Sequence, residues 1–285
     1  MNRPIIMDGK SLSLTFIEKF KVEISHLADA DIIPSLSIIM VGEDPASKIF
    51  VRNKLRLCEN IGVNAKVLAK PSNISEEELL KVIKDLNEDE KVHGILVQLP
   101  LPPHINISRI LAAIEPSKDI DGLTPLNLGR LMHGDETLAP CGAKAVMEIL
   151  TAYRVDLEGL NVCIVSNSIL VGKPLAIMAT NRFATVTVCH VKTKNLKEYT
   201  STADVLISAT GAPHIIKPDM VKEGAIVVDV GIAKLGGKTV GDVDFENVKN
   251  RASMITPVPG GVGPMTVVMV IANLLNAVKL QKCLV

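Results

Sequence analysis

The stretch "NVCIVSNSILVGKP" (residues 161–174) predicts a buried strand, a turn of small residues and the start of a helix. This order places backbone N–H groups and a helix N-terminus where a pyrophosphate binds in dinucleotide-binding folds. Only Gly172 of a glycine-rich fingerprint is present, and Ser166, Asn167 and Ser168 form the turn. An ordinary strand-to-helix turn therefore stays open as the alternative on local grounds.

The rest of the chain repeats this alternation of short apolar runs with longer amphipathic ones. Runs rich in β-branched residues predict strands at 35–41, 64–70, 94–99, 161–166, 184–189, 204–209 and 225–230. The last two are followed by Thr210 and Gly211, and by Gly231 and Ile232. Open α/β sheets bind ligands at the carboxyl ends of their strands, so these four residues are candidate cofactor contacts. The pattern predicts an α/β protein with a parallel sheet.

Length and local signals divide the chain into two domains. At about 150 residues per domain, 285 residues predict two, with a cleft between them as the default. Ser75 and Glu78 form a capping box, and Pro264 suits the first turn of a long last helix. Residues 116–145 carry many turn formers and little apolar periodicity, which predicts a connector more than a core element.

Composition excludes several classes of protein. Equal numbers of basic and acidic residues, 31 of each, imply no bulk attraction to nucleic acid or to an anionic membrane. Aromatic residues make up 2%, so the core is expected to be aliphatic. Five cysteines without metal-type spacing predict buried free thiols and no metal site. The N-terminus lacks a signal core, and the longest apolar segment is short and contains Asn273, which predicts a soluble, cytoplasmic protein.

Other polar residues have an ordinary and a functional interpretation. The run "TPVPGGVGPMT" (256–266) suits a tight strand-to-helix connection, but its glycines also allow a flat ligand to approach the backbone. Gln98 ends an apolar strand and needs hydrogen-bond partners. Asp119 and Asp121 are typical turn carboxylates, and Lys54 is typical of a solvated helix lysine with its stem across Phe50.

These features occur together in one family. Over essentially its whole length the sequence resembles the bifunctional methylenetetrahydrofolate dehydrogenase/methenyltetrahydrofolate cyclohydrolases. Seven segments carry the resemblance in the family's order, which makes coincidence implausible. They are "VGEDPASKIFVRNKLRLCENIGV" (41–63), "GILVQLPLPPHI" (94–105), "PSKDIDG" (116–122), "SNSILVGKP" (166–174), "ATVTVCH" (184–190), "ADVLISATG" (203–211) and "ITPVPGGVGPMT" (255–266).

The resemblance implies a domain organisation and an assembly. It implies a folate-side catalytic domain at 1–140, completed by the C-terminal helix 264–285, and a Rossmann-like NAD(P)-binding domain at 141–263. It also implies a homodimer, NADP as cofactor and tetrahydrofolate as the carrier substrate.

The resemblance also assigns roles to single residues. Lys54 matches the catalytic lysine, Gln98 the glutamine that hydrogen-bonds it, and Asp121 the carboxylate that holds the pterin ring. Implied substrate contacts are Ser47 and Phe50 on one helix and Pro259, Gly260 and Gly261 in a loop over the substrate.

The chemistry explains these residue types. Hydride transfer from the methylene bridge to a nicotinamide leaves an amidinium-like cation, so this step needs positioning more than an acid or a base. Hydrolysis of that cation needs a delivered water and moved protons. A lysine desolvated beside a cationic intermediate suits that acid/base role.

Two departures from the family pattern affect function. The family has Tyr where this chain has Phe50, so one hydroxyl of the lysine's network is missing and we expect weakened cyclohydrolase activity. The family's "GRS" is replaced by residues 166–168 and its "CHS" by "CHV" with Val191, which removes two groups that can hold the 2′-phosphate of NADP. Lys192 or Lys194 can substitute as point charges, and use of NAD stays open.

Further departures are "GLTP" (122–125) for "GFHP" and "PCGAKA" (140–145) for "PCTPxG".

Three alternatives to the bifunctional enzyme remain. One is a dehydrogenase that has lost the hydrolytic step. Another is a non-catalytic folate- or nucleotide-binding paralogue, which has no need of Lys54. An unrelated Rossmann enzyme would explain residues 161–235 but not "GILVQLPLP".

Overall fold

The computed structural model describes residues 3–284, and the chain divides into two compact units. The three-stranded unit comprises Phe16–Cys141 and the residues from Met269 onward. The six-stranded unit comprises the residues up to Thr15 and Gly142–Val268. Each unit has its own parallel sheet, so the predicted α/β class is confirmed.

Helices and strands alternate along most of the chain. The strands are β1 Ile5–Ile6, β2 Ser35–Val41, β3 Asn64–Lys70, β4 Gly94–Gln98, β5 Asn161–Val165, β6 Thr185–Cys189, β7 Val205–Ser208, β8 Ile226–Asp229, β9 Ala233–Leu235, β10 Lys238–Val240 and β11 Met254–Ile255. The helices are α1 Gly9–Asp29, α2 Pro45–Ile61, α3 Glu76–Glu88, α4 Ile107–Ala112, α5 Pro125–Met132, α6 Cys141–Ala152, α7 Gly172–Thr180, α8 Leu196–Thr200, α9 Phe245–Val248 and α10 Val262–Lys282. All seven predicted strands are present within one residue of their expected ends.

The three-stranded unit is built on the order β3-β2-β4. Every residue of the central strand β2 is buried, as expected for a strand covered on both faces. The capping box that opens α3 forms as predicted, with Ser75 accepting from the Glu78 N–H and Glu78 accepting from the Ser75 N–H. Its core is aliphatic, with Ile39, Leu79 and Ile83 fully buried.

The six-stranded unit has the order β1-β11-β8-β7-β5-β6, and all five strand pairs are parallel. The carboxyl ends of β5, β7 and β8 therefore lie at one edge of the sheet. Strands β9 and β10 form a separate antiparallel hairpin after β8. The two-residue strands β1 and β11 and this hairpin were not predicted, because such short runs show no periodicity.

The prediction for residues 116–145 was wrong. The segment contains a 3₁₀ turn at Pro116–Lys118, helix α5 and the start of α6. Many of its side chains are buried, among them Ile120, Leu123 and Leu131. Some of its polar residues pair within the segment, as Asn127 does with Asp119, and others with backbone outside it, as Lys118 does with the Asp89 carbonyl. Turn-forming composition here therefore accompanies a packed core.

Helix α10 differs from its predicted form. It begins at Val262, two residues before Pro264. It has 21 residues, and its most apolar 18-residue window has a mean hydropathy of 1.5, so by length and composition alone it could cross a membrane and the apolar segment is longer than expected. Of the apolar window, 61% is buried in the protein, which is equally typical of a core helix.

The cysteines also depart from expectation at one position. Cys58, Cys141, Cys163 and Cys189 are buried free thiols, whereas Cys283 is exposed. Burial raises the pKa of Cys58 to about 12, so this thiol stays protonated at neutral pH.

Candidate active site

The predicted catalytic residues Lys54 and Gln98 are in direct contact in the three-stranded unit. Lys54 lies on α2, and its Nζ donates to Oε1 of Gln98 at 3.2 Å. Gln98 is the last residue of β4, and its Nε2 donates to the Leu99 carbonyl at 2.8 Å. That second bond fixes which end of the amide faces the lysine, so Gln98 presents an oxygen to the ammonium group.

The start of α2 is held to the same strand end. Asp44 caps the helix by accepting from the Ser47 N–H at 2.7 Å, and Pro45 occupies the first turn. The Ser47 hydroxyl donates to the Leu99 carbonyl at 3.4 Å. Ser47 and Lys54 thus meet the end of β4 from two turns of one helix.

The exposed side of α2 carries two apolar residues. Ile49 is 55% exposed and Phe50 is 39% exposed, while Ser47, Val51 and Cys58 are buried. Phe50 lies one turn before Lys54 and leaves its ring open to solvent or to a ligand. An aromatic side chain in this state is available for contact with a flat molecule.

Asp121 lies near Lys54 at a turn that its neighbour Asp119 organises. Burial raises the pKa of Asp121, and the charge of Lys54 opposes that rise. Asp119 is 1% exposed and accepts from the N–H groups of Gly122 at 2.9 Å and Thr124 at 2.8 Å. Asp119 is therefore a turn carboxylate, as predicted for both aspartates, whereas the Asp121 side chain interacts with Lys54 and Cys141.

Asn273 supports the same turn and was missed as a site residue. It is fully buried on α10, and its Nδ2 donates to the carbonyls of Ile120 at 2.9 Å and Ala139 at 2.8 Å. The available signal was a buried-type asparagine inside an apolar helical run, since such an amide needs partners.

The cofactor candidates after β5 form a tight turn in the six-stranded unit. The Ser168 hydroxyl accepts from the N–H groups of Val171 at 3.2 Å and Gly172 at 3.4 Å, and Asn167 is exposed. A Cβ on Gly172 would lie 2.0 Å from the Ser166 carbonyl, so only glycine permits this approach of strand end and helix start. The turn ahead of α7 is therefore tight, and its glycine brings the start of the helix against the end of β5.

The other cofactor candidates lie in loops at strand ends of the same sheet. Thr210 and Gly211 follow β7 and are exposed, and Ile232 after β8 is 47% exposed. A Cβ on Gly211 would meet no atom within 4 Å, so the space beside this loop is open. Val191 follows β6 and is 94% exposed.

The lysines that could replace the missing phosphate contacts lie in the loop after β6. Its conformation is fixed by His190, whose N–H donates to the Thr193 hydroxyl at 2.8 Å and whose Nδ1 accepts from the Lys192 N–H at 3.2 Å. Lys192 and Lys194 are both exposed in this loop. Both lysine side chains are thus at the surface, where an anion could reach their ammonium groups.

The loop with Pro259, Gly260 and Gly261 connects β11 to α10, as its ordinary interpretation predicts. The Gly260 carbonyl accepts from the Lys10 N–H at 2.8 Å, so the first turn of α1 holds the loop. Among residues 3–284, no group of three or more His, Cys, Asp and Glu side chains is arranged to bind a metal ion.

Comparison with known proteins covers nearly the whole chain. Residues 7–121 match the catalytic domain of the tetrahydrofolate dehydrogenase/cyclohydrolase family, and residues 140–282 match its NAD(P)-binding domain. The Bifunctional protein FolD of Nitratiruptor sp. is 50% identical over 278 residues, which are 97% of this chain and 99% of that protein.

Solved structures agree with these matches. The Campylobacter jejuni bifunctional enzyme FolD superposes with a TM-score of 0.94 at 48% identity, covering 96% of this chain and 98% of that one. The Trypanosoma brucei methylenetetrahydrofolate dehydrogenase-cyclohydrolase, complexed with NADP and an inhibitor, gives 0.94 at 36% identity and covers 98% of each chain. The chain therefore belongs to the tetrahydrofolate dehydrogenase/cyclohydrolase family.

Proposed function

We propose that this protein oxidises 5,10-methylenetetrahydrofolate to 5,10-methenyltetrahydrofolate with NADP or NAD, and hydrolyses the product to 10-formyltetrahydrofolate. The single observation that carries the proposal is the Lys54–Gln98 hydrogen bond beside Asp121, in a chain that matches both domains of the family. A protein that only bound folate would need no lysine held in this way.

Lys54 is the proposed acid/base of the hydrolytic step. Gln98 orients it, because an amide oxygen fixed by the bond to Leu99 accepts one of the three ammonium protons and directs the other two elsewhere. Asp121, whose pKa is raised by burial, is the proposed hydrogen-bonding partner of the pterin ring. Ser47, Phe50 and the segment Pro259–Gly261 are the remaining proposed substrate contacts.

The oxidative step depends on positioning. NAD(P) supplies the hydride acceptor when bound. The proposed contacts of this chain are Ser166, Asn167, Ser168 and Gly172 at the start of α7, Val191 and Lys192 after β6, Thr210 and Gly211 after β7, and Gly231 and Ile232 after β8. Their contribution is to hold and orient the dinucleotide, since a hydride transfer needs no acid or base from the protein.

Cofactor preference is proposed to be NADP, with Lys192 and Lys194 as the 2′-phosphate contacts. The related Trypanosoma brucei structure carries NADP. Both lysines are exposed in a loop of fixed backbone, which suits attraction of a phosphate by point charges. Substantial NAD use follows if these charges bind the 2′-phosphate only weakly.

The hydrolytic step is proposed to be weakened relative to the oxidation because residue 50 is Phe. The extreme of this tendency, a dehydrogenase without hydrolysis, is the second candidate function. Phe50 favours it, since the hydroxyl expected in the lysine's network is absent.

We further propose a cytoplasmic homodimer. Strand β6 is an outer strand of the six-stranded sheet, and Val188 on it is 39% exposed. An outer strand with an exposed apolar side chain is suited to pairing with a second copy. Light scattering coupled to size-exclusion chromatography tests the assembly.

One assay tests the main proposal. The purified protein is mixed with methylenetetrahydrofolate and either NAD or NADP, and the methenyl absorbance is followed as it rises and then decays. Enzyme-dependent rise and decay support both activities, and a rise without enhanced decay selects the dehydrogenase alone. Absence of a rise with either cofactor would refute the proposal in favour of a binding protein.

A further inference from the structure

Two buried aspartates lie behind the proposed cofactor loops and are not among the predicted site residues. Asp229 ends β8 and is 3% exposed. Asp242 follows the β9–β10 hairpin and is 0% exposed. Buried carboxylates are rare unless they have defined partners, so their contacts indicate what they do.

Asp229 binds backbone on both sides of the hairpin. Its Oδ1 accepts from the N–H groups of Gly231 and Asp242, each at 3.0 Å, and its Oδ2 accepts from the Val243 N–H at 2.8 Å. One carboxylate thus fixes both the loop that follows β8 and the segment that follows β10.

Asp242 extends the network to the neighbouring loop. Its Oδ2 accepts from the Ser208 hydroxyl at 2.7 Å and from the Thr210 N–H at 2.6 Å. Its Oδ1 is buried and has no hydrogen-bond partner among the described residues. The end of β7 and its following loop are therefore fastened to the segment that Asp229 holds.

Each carboxylate packs directly against a glycine next to the other acid: Asp242 against Gly231, and Asp229 against Gly241. A Cβ on Gly231 would lie 1.9 Å from Oδ1 of Asp242, and a Cβ on Gly241 would lie 2.0 Å from Oδ2 of Asp229. No side chain other than hydrogen fits at either position, so the loop after β8 and the end of β10 are packed directly on the acid pair.

We propose that Asp229 and Asp242 are positioning residues for the dinucleotide, because they lock the loop carrying Thr210 and Gly211 to the loop carrying Gly231 and Ile232. The inference rests on the proposed function, which places NAD(P) on these loops. The acids do not contact the cofactor themselves. They set the spacing of the two loops, and a ligand that spans both binds well only when that spacing is preorganised.

The network offers variants that remove one or two of the hydrogen bonds to Asp242. Ser208→Ala removes the hydroxyl that donates to Asp242, and Asp242→Ala removes the acceptor altogether. Asp242→Asn keeps an acceptor for Ser208 and Thr210. Burial raises the pKa of Asp229 to about 7 and the charge of Asp242 acts in the same direction, so removing that charge relieves a repulsion between the two acids. Ser37→Ala is the matched control, since Ser37 is fully buried in β2 of the other unit and its hydroxyl has no partner in the described chain.

The experiment measures Kd for NADP and NAD by titration, KM for cofactor and folate, kcat, and the melting temperature. We expect Asp242→Ala to raise the cofactor Kd and KM about tenfold or more and Ser208→Ala to raise them several-fold. We expect Asp242→Asn to stay within about threefold of the wild type, Ser37→Ala to have no effect, and the folate KM to hold in every variant.

The outcomes separate this inference from the proposed function. If wild-type protein binds neither NADP nor NAD, the proposed function fails first. If the wild type binds and Ser208→Ala and Asp242→Ala bind equally well, the positioning role is refuted. A rise in cofactor and folate KM together would also refute it, because it would indicate general loosening of the fold. If Asp242→Ala does not fold, the cofactor Kd of Ser208→Ala is compared with that of Ser37→Ala. Equal values in these two variants then refute the positioning role.

Discussion

The Nζ of Lys54 and the Oε1 of Gln98 are 3.2 Å apart, and a second bond from Gln98 to the Leu99 carbonyl sets the direction of this contact. The lysine therefore meets an oriented acceptor at the end of a buried strand. An ammonium group held in this way has two protons left for substrate or water.

Gln98→Leu should reduce methenyl hydrolysis about tenfold, because it removes the acceptor that orients Lys54 while keeping similar volume. Cofactor Kd should be unchanged, since Gln98 belongs to the three-stranded unit and the proposed cofactor loops belong to the other. Single-turnover decay of added methenyltetrahydrofolate measures the first quantity and titration measures the second. Unchanged decay would show that Gln98 only fills space.

Phe50→Tyr should raise the hydrolysis rate several-fold relative to the oxidation rate, since it restores a hydroxyl one turn from Lys54. Phe50 is 39% exposed, so the added oxygen needs no cavity in the core. Phe183→Tyr, at a ring that is 78% exposed in the other unit, serves as the control. If Phe50→Tyr and the wild type have the same ratio of hydrolysis rate to oxidation rate, residue 50 has no part in the hydrogen-bond network of Lys54.

Lys192→Gln should lower kcat/KM for NADP about three- to tenfold and leave the value for NAD unchanged, because only NADP carries the 2′-phosphate. The effect should shrink at high salt, since an exposed charge is screened. Lys238→Gln on the β10 strand of the same unit is the control for loss of one positive charge. Equal losses with both cofactors would contradict this assignment.

Stability should fall below about pH 6.5 through His93. This side chain is buried, its Nδ1 accepts from the Ser35 N–H at 3.2 Å, and its Nε2 has no partner in the described chain. Burial and the charges of Lys282 and Lys118 lower its pKa below 6.5. The unfolded chain therefore binds a proton at a pH where the folded chain does not, and the free energy of unfolding decreases as pH falls.

Urea unfolding at pH 7.5 and 5.5 measures this effect. His93→Asn keeps an acceptor for the Ser35 N–H and should lose about 1 kcal/mol of the wild-type difference between the two pH values. The same difference in both proteins would assign the pH dependence to other groups.

The strands were predictable because apolar, β-branched runs between turn formers have few alternatives, and β2 and β3 match their predicted bounds. Residues 116–145 were misjudged because their polar groups find partners distant in sequence. Lys118 donates to the carbonyls of Asn87 and Asp89, and the Ala139 carbonyl accepts from Asn273. A single sequence does not show such pairings.

The site shows the same limit. Lys54, Gln98 and Asp121 could be proposed from motifs that the family shares. Asn273 and the pair Asp229 and Asp242 could not, since each acts on backbone that only the fold brings near. Burying an aspartate or asparagine side chain costs free energy unless it is hydrogen-bonded, so the sequence suggests that such a residue needs partners. The sequence does not show which loop that side chain holds in place.

The central claim is that Lys54 serves the hydrolytic step and not the hydride transfer. Lys54→Met tests it most directly when both phases are followed in one reaction of methylenetetrahydrofolate with NADP, with Lys48→Met on the exposed side of α2 as control. We expect methenyl formation to persist and its enzyme-dependent decay to fall by at least about 10²-fold, as loss of a general acid/base predicts. Decay at the wild-type rate in Lys54→Met would contradict the account.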